Sequence, residues 1–372
     1  MYKKLKKIIS YIYIVSRKFL AYHLGIPYYE RLLLNLTSLC NSNCIYCEVK
    51  KLNQQNDLPY ARIIKLIDEA KDIGVKTFFI SGGEPFLHPN FWEIIQYVKA
   101  KGLKLTLVTN GLLLTRQSED KIQILRKCVD KLFISLESSK PEIHDQLRGG
   151  QGFWELTTEG IKRLTKFKDF NIVVKPVISQ NNIYDLPEYL KFCADLGVKE
   201  ISFQPLNTET NFPNVSKVEK NYLSIKDSQL LEVEKIINQG IKISKDLGLI
   251  TNLFAIKQFF NTFWLGKEKE GLWFEKLLPK YTCIEVFTNL FIASNGDLLP
   301  CALIPAVGNI TNSTLKEEIK KLAILRKNIK NGKFPSHCKA CSCVASTNLA
   351  YSAVLHPLRN KKQLFKLLKD YF

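Results

Sequence analysis

Three cysteines directly after a short apolar run constrain this chain more than any other feature. Cys40, Cys44 and Cys47 lie in TSLCNSNCIYCEV with CxxxCxxC spacing, after the run LLLNL at residues 32–36, which predicts a strand. A disulfide needs cysteines in pairs, and a structural zinc site usually needs a fourth ligand. A [4Fe–4S] cluster is held by thiolates, one for each iron. Three thiolates would therefore leave one iron open to a small molecule.

The chain after this loop alternates short apolar segments with amphipathic ones. Strands are expected at residues 32–36, 77–80, 103–108, 131–136, 172–178 and 200–204, and helices at residues 60–73, 91–101, 120–128, 154–166 and 186–196. Such alternation favours an α/β fold with a parallel sheet and right-handed crossovers. Periodicity alone does not separate an open sheet from a barrel.

Chemistry-bearing motifs follow these strands at their C-terminal ends, where parallel barrels hold their active sites. The motifs are Ser81-Gly82-Gly83-Glu84-Pro85, Thr109-Asn110-Gly111, Ser135 with Glu137, and the run HDQLRGG that contains Arg148. Two adjacent glycines allow a backbone to approach a ligand closely. A plain turn at Asn110 and a structural salt bridge at Arg148 are the alternatives to a binding role.

The cysteine spacing, with the aromatic Tyr46 just before the third cysteine, resembles the signature of the radical S-adenosylmethionine (SAM) superfamily. The resemblance implies a partial (β/α)6 barrel as the core of the fold. It also implies a [4Fe–4S] cluster on Cys40, Cys44 and Cys47 whose open iron binds SAM. In that family one electron cleaves SAM to a 5′-deoxyadenosyl radical, which abstracts hydrogen from a substrate.

The same resemblance assigns SAM contacts to a set of motif residues: Tyr46, Gly82, Gly83, Glu84, Pro85, Asn110, Ser135, Glu137 and Arg148. Glu84 lies in the GGEP motif, which binds the SAM amino group in that family. Ser135 and Glu137 lie where the family contacts the ribose, although the family often has aspartate at the position of Glu137. Arg148 would pair with the SAM carboxylate, because a guanidinium fork suits a carboxylate.

A second cysteine group lies near the C-terminus. Cys283 precedes a G-x4-C segment that ends at Cys301, and Cys338 and Cys341 form a C-x-x-C pair after a predicted helix at residues 315–330. A hairpin is expected to turn at Asn295-Gly296. The pattern resembles the SPASM region or its shorter twitch form, which implies one auxiliary [4Fe–4S] cluster on these four cysteines. A four-cysteine zinc site is the alternative, and Cys343 is the candidate catalytic residue.

The chain is strongly basic, with 54 Lys and Arg against 35 Asp and Glu. The lysines are scattered and show no basic–aromatic motif, so no specific nucleic-acid partner is expected. The N-terminal segment has four lysines in its first seven residues, and its apolar run at residues 8–15 is too short to span a bilayer. It is expected either to make peripheral contact with an anionic membrane or to pack on the core, and the basic C-terminal tail presents the same choice.

The predicted organisation has five parts: a basic amphipathic segment (1–28), a radical SAM core (29–210), a helical, aromatic-rich connection (211–282), an auxiliary-cluster domain (283–345) and a basic tail (346–372). The expected function is that of an oxidoreductase-type radical SAM enzyme acting on an unknown substrate. Its electron donor would be a flavodoxin or ferredoxin. The expected location is the cytoplasm, at the inner surface of the membrane if the basic termini bind there. The alternative is a non-catalytic iron–sulfur or zinc scaffold at a membrane surface.

Overall fold

The computed structural model describes residues 2–47, 57–206, 223–259, 283–301 and 303–340. Within these ranges ten strands form one mostly parallel sheet, in the order β12-β11-β10-β1-β2-β3-β4-β5-β7-β9, and β6 pairs with β8 in a separate two-stranded sheet. The strands are β1 (Arg31–Asn35), β2 (Thr77–Ser81), β3 (Lys104–Thr109), β4 (Lys131–Ile134), β5 (Ile172–Val174), β6 (Val177–Ile178), β7 (Glu200–Ile201), β8 (Gln204–Pro205), β9 (Ile250–Thr251), β10 (Asn289–Ile292), β11 (Asp297–Leu299) and β12 (Gly308–Asn309).

The helices of the described residues lie mainly between these strands. They are α1 (Tyr2–Leu24), α2 (Tyr60–Asp72), α3 (Phe91–Ala100), α4 (Glu119–Cys128), α5 (Pro141–Arg148), α6 (Phe153–Thr165), α7 (Leu186–Asp195), α8 (Leu230–Asp246), α9 (Leu253–Phe259), α10 (Glu285–Thr288), α11 (Leu315–Lys320) and α12 (Ala323–Lys330). Their apolar faces pack on the sheet around fully buried side chains such as Leu32, Phe78 and Ile94. The predicted parallel α/β arrangement is confirmed.

The fifth and sixth predicted strands are shorter than the apolar runs suggested. β5 ends at Val174, and the chain resumes as β6 at Val177, which pairs with Gln204 in the small sheet. Pro176 lies between the two segments and has no N–H to donate to a ladder. The apolar run therefore divides at the proline instead of forming one strand.

Both edges of the parallel sheet are extended by later parts of the chain. β10 pairs parallel with β1, with Arg31 beside Asn289, and β11 follows as the second strand of the predicted hairpin. At the other edge β9 pairs parallel with β7. The region of the second cysteine group is thus joined to the core sheet through a continuous strand ladder.

The C-terminal end of α1 packs against the chain that follows Cys283. Tyr22 is 7% exposed and contacts Phe287 edge to face, with 5.1 Å between the ring centroids. Lys18 forms an ion pair with Glu30 at 2.6 Å. This part of the N-terminal segment follows the packing alternative. In the part of the chain that the structure describes, no helix is both long and apolar enough to span a bilayer.

Candidate active site

The cysteine loop is anchored by the GGEP loop that follows the neighbouring strand. Gly83 N donates to Thr37 O and Glu84 N donates to Leu39 O, both at 2.7 Å. These bonds continue the β1–β2 pairing beyond the ends of the strands. The backbone that leads into Cys40 is therefore held directly beside the GGEP motif.

The two glycines of this motif are required by the closeness of that contact. A Cβ on Gly83 would lie 1.9 Å from Leu39 O, and one on Gly82 would lie 2.6 Å from Thr37 O. Gly82 also has φ +121°, which L side chains rarely adopt. The glycines thus permit two loops to meet backbone to backbone.

The C-terminal end of α5 holds the other side of the cysteine loop. Asn43 N donates to Arg148 O and Ile45 N donates to Leu147 O, both at 3.1 Å. Gly149 ends the helix with φ +70°, and a Cβ there would lie 2.1 Å from Asn43 O. The residues between the first and third cysteines are thereby fixed against a helix end.

A buried network joins Tyr46 to the end of β4. Glu137 Oε1 accepts hydrogen bonds from Tyr46 OH at 2.7 Å and from Arg148 Nη1 at 3.2 Å. Glu137 Oε2 accepts one from Val177 N at 2.7 Å. Burial raises the pKa of Tyr46 well above its usual value, so its hydroxyl is a neutral donor. Three residues that the motifs assigned separately to SAM therefore contact one another.

Glu84 is fully buried, and its carboxylate faces the end of β3. It accepts hydrogen bonds from Thr109 Oγ1 and Asn110 N, each at 2.8 Å. Burial raises the pKa of Glu84 to about 7, although the bonds from Asn110 and Thr109 oppose that shift. A bound cation or ammonium group would favour its charged form.

Asn110 and Ser135 complete the rim of the site, and Pro85 is buried below it. Asn110 Nδ2 donates to Asn41 Oδ1 at 2.6 Å, so the TNG motif contacts the cysteine loop directly. Ser135 is partly exposed, and its hydroxyl makes no hydrogen bond within the described residues. All motif residues thus lie around one loop at the C-terminal ends of β1 to β4.

Two supporting residues have partners that the sequence did not reveal. Asp57 accepts hydrogen bonds from Thr37 Oγ1 and from the backbone and side chain of Ser38, which fixes the start of the cysteine loop. His144 Nδ1 accepts a hydrogen bond from Glu137 N, and burial lowers its pKa to about 3, so it is neutral. No local pattern marks Asp57, because its partners are 19 and 20 residues away.

The three thiols of the loop lie within electrostatic reach of one another. Burial raises the pKa of Cys40, and it raises the pKa of Cys44 to about 11. The positive charge of Arg148 lowers the pKa of Cys44, whereas Cys47 and Cys40 raise it. The described cysteines form no disulfide, and the described residues contain no preassembled group of three metal-ligating side chains. Metal binding deprotonates such thiols, and a set of sulfur donors in a fixed loop fits an iron–sulfur cluster.

The described cysteines of the second group also lie within electrostatic reach of one another. Burial raises the pKa of Cys283 and raises that of Cys338 to about 12, and Cys301 adds to both shifts. Cys283 precedes α10, which leads into β10, and Cys301 follows β11, where Leu299 lies beside Phe291. Both therefore lie toward the end at which β1 and β10 begin, opposite the cysteine loop. Cys341 and Cys343 fall outside the described residues.

Comparison with known proteins identifies both regions. Residues 34–193 match the model of the radical SAM superfamily, and residues 283–342 match that of SPASM, an iron–sulfur cluster-binding domain. The chain belongs to the radical SAM superfamily. It is a radical SAM enzyme with a SPASM domain, and the predicted fold class is confirmed. Its cofactors are SAM, a [4Fe–4S] cluster and the auxiliary iron–sulfur cofactor that the SPASM domain binds.

Among curated relatives, the AdoMet-dependent heme synthase of Methanosarcina barkeri is 26% identical over 330 residues, which cover 86% of this chain and 91% of that protein. The subtilosin biosynthesis protein AlbA of Bacillus subtilis is 33% identical over 45% of this chain and 37% of its own length. A probable GTP 3′,8-cyclase of Methanocaldococcus jannaschii is 30% identical over 50% of this chain and 63% of its own.

Solved structures share the fold at low sequence identity. SuiB of Streptococcus suis bound to S-adenosylmethionine superposes with a TM-score of 0.63 at 17% identity, covering 87% of this chain and 74% of that chain. The enzyme anSMEcpe with bound AdoMet gives a TM-score of 0.60 at 16% identity, covering 92% of this chain and 98% of that chain. The likeness spans both the core sheet and the C-terminal region.

Proposed function

We propose that this chain binds SAM at the loop of Cys40, Cys44 and Cys47 and uses it to abstract hydrogen from an organic substrate. A [4Fe–4S] cluster held by these three cysteines would supply the electron for the reductive cleavage of SAM, which yields methionine and a 5′-deoxyadenosyl radical. The observation that carries the proposal is the convergence of the GGEP loop, Asn110 and the end of α5 on this one cysteine loop. A passive metal scaffold has no need of that convergence.

The chain's own residues would position SAM. Glu84, buried between Thr109 and Asn110, is placed to meet an ammonium group with its carboxylate. The partly exposed Ser135 offers a hydroxyl at the end of β4. Arg148 is already paired with Glu137 and Tyr46, so it contributes positive charge near the thiols as well as a fork for a carboxylate.

The auxiliary site is proposed to hold one [4Fe–4S] cluster on Cys283, Cys301, Cys338 and Cys341. Its described cysteines lie at the opposite end of β1 and β10 from the cysteine loop. This separation favours a role in electron transfer or in stabilising the fold over direct contact with the substrate radical.

Anaerobic reconstitution tests the activity. Protein loaded with iron and sulfide is given SAM and dithionite, and 5′-deoxyadenosine is quantified. Wild type should form it, the triple variant C40A/C44A/C47A should form none, and C128A should match wild type because Cys128 is a buried thiol outside both groups. Absence of 5′-deoxyadenosine from fully loaded wild type would favour the scaffold alternative.

The substrate is inferred to be a small-molecule cofactor precursor. The heme synthase matches across both domains, whereas AlbA matches over less than half of this chain. A heme precursor should raise the rate of 5′-deoxyadenosine formation above the substrate-free rate, and a peptide should not. The reverse result would assign the enzyme to peptide modification.

We also propose two partners: an anionic membrane surface in peripheral contact, and a flavodoxin or ferredoxin as electron donor. The basic start of α1 supports the membrane contact, because each lysine near an anionic bilayer contributes about 1 kcal/mol of binding free energy. Co-sedimentation with anionic vesicles at low and high salt tests it. Equal binding by the full chain and by a version starting near Gly25 would contradict it.

A further inference from the structure

A cavity of about 250 Å³ lies where α1 meets α12. One wall is formed by Ala21 of α1 and by Ile26 in the turn that follows, and Tyr29 and Phe287 form an aromatic floor. Tyr29 and Phe287 precede β1 and β10, whereas the cysteine loop follows β1. The cavity is therefore separate from the SAM site and lies at the opposite end of these strands.

Three cations of α12 form the facing wall: Arg326, Lys327 and Lys330. Arg326 and Lys330 are one helical turn apart and lie on the same side of the helix. No Asp or Glu lines the cavity, and among the described residues none of the three cations has a carboxylate partner. Positive charge is thus concentrated here, and the described residues supply no counter-ion for it.

Arg326 is held in place in a way that leaves part of its fork unused. Its Nε donates to Val286 O at 2.8 Å, and its guanidinium carbon lies 5.8 Å from the Tyr29 ring centroid and 6.0 Å from that of Phe287. Its Nη2 is buried and has no hydrogen-bond partner within the described residues. Because this nitrogen is closed off from the cavity as well as from solvent, a ligand in the cavity would meet the remainder of the guanidinium.

We propose that this cavity binds the phosphate group of a phosphate ester. Arg326 supplies a fixed guanidinium, which is suited to phosphate oxygens, and Lys327 and Lys330 supply additional charge. The cavity is smaller than the roughly 300–1,000 Å³ of sites for drug-sized ligands, so a small head such as glycerol phosphate fits better than a nucleotide. The ester has two sources, a soluble metabolite or the headgroup of an anionic phospholipid, and α1 places the cavity beside the basic segment.

Binding is measured on the full-length holoprotein by calorimetry in two arms. One arm uses glycerol 3-phosphate, and the other uses phosphatidylcholine vesicles with and without phosphatidylglycerol. Lys327→Gln should weaken binding about fivefold, the effect of one lysine near a phosphate surface. Lys316→Gln is the matched control, because Lys316 is an exposed lysine on the adjacent α11 that does not line the cavity. It should leave binding unchanged.

Arg326→Lys keeps the positive charge but loses the forked guanidinium, and it should weaken binding more than Lys327→Gln does. Iron content and melting temperature report whether this variant is folded. Binding of glycerol 3-phosphate that depends on Lys327 identifies a soluble ester. Binding of phosphatidylglycerol vesicles alone with the same dependence identifies a lipid headgroup. Binding in neither arm, or equal loss in Lys316→Gln, overturns the proposal, and neither result bears on SAM cleavage.

Discussion

Glu137 shows how a single residue acts through others at this site. Its two oxygens accept hydrogen bonds from Tyr46, Arg148 and Val177, so its carboxylate joins the cysteine loop to α5 and to the chain after β5. Sequence motifs placed Tyr46, Glu137 and Arg148 near SAM one by one. They could not show this network, because Tyr46 is 91 residues from Glu137 and 102 from Arg148.

Replacing Glu137 with glutamine tests that role. The change keeps the shape but leaves the buried Arg148 without a counter-charge, which should cost about 3–5 kcal/mol of the free energy of unfolding. Iron retention at the SAM site should fall with it. Glu200→Gln is the control, because the Lys131–Glu200 pair is about 30% exposed on each side and should cost less than about 1 kcal/mol. Equal effects of the two variants in urea unfolding would argue against a positioning role for Glu137.

Among the helices around the cysteine loop, α5 was missed by sequence patterning although its boundary signals were present. Pro141 lies at its first turn, and Gly149 ends it in the left-handed region, both common helix boundaries. The helix has only eight residues, so its apolar periodicity is short. The predicted helix at residues 315–330 also divides, because Lys321 and Leu322 bond to residues three positions back and tighten the chain between α11 and α12.

The contact between the C-terminal end of α5 and the cysteine loop can be tested with a closely matched control. Gly149 and Gly152 have φ of +70° and +73°, but a Cβ on Gly149 meets Asn43 O at 2.1 Å and one on Gly152 meets nothing within 4 Å. Gly152→Ala should cost only the left-handed strain of about 1–2 kcal/mol. Gly149→Ala should in addition displace the cysteine loop and lower iron bound at that loop. Matching iron contents in the two variants would show that the contact with Asn43 does not hold the loop.

At the scale of the whole molecule, sequence reasoning identified both cysteine groups but not their relative placement. The parallel pairing of β10 with β1 puts Cys283 and Cys301 toward one end of the sheet and the cysteine loop after the other. That pairing joins residues about 260 positions apart and carries no local pattern. By contrast, the alternation of strands and helices from β1 to α7 follows from short-range periodicity and was largely predictable.

This separation predicts that the two metal sites load independently. The variant C40A/C44A/C47A should retain about four irons per chain, as should C283A/C301A, since each cluster of this type holds four. Iron and zinc analysis after anaerobic reconstitution provides the measurement. Zinc in the first variant would identify the second group as a zinc site, and absence of any metal from it would contradict an auxiliary cluster. Loss of all iron from C283A/C301A would show that the first site depends on the second.

The most direct test of the central claim is electron paramagnetic resonance of the dithionite-reduced C283A/C301A variant before and after SAM is added. Only the cluster on Cys40, Cys44 and Cys47 should remain in this variant, and its open iron should take SAM as a ligand. The spectrum is therefore predicted to change on addition of SAM. An unchanged spectrum from a fully loaded cluster would contradict the assignment of this loop as the SAM-binding site.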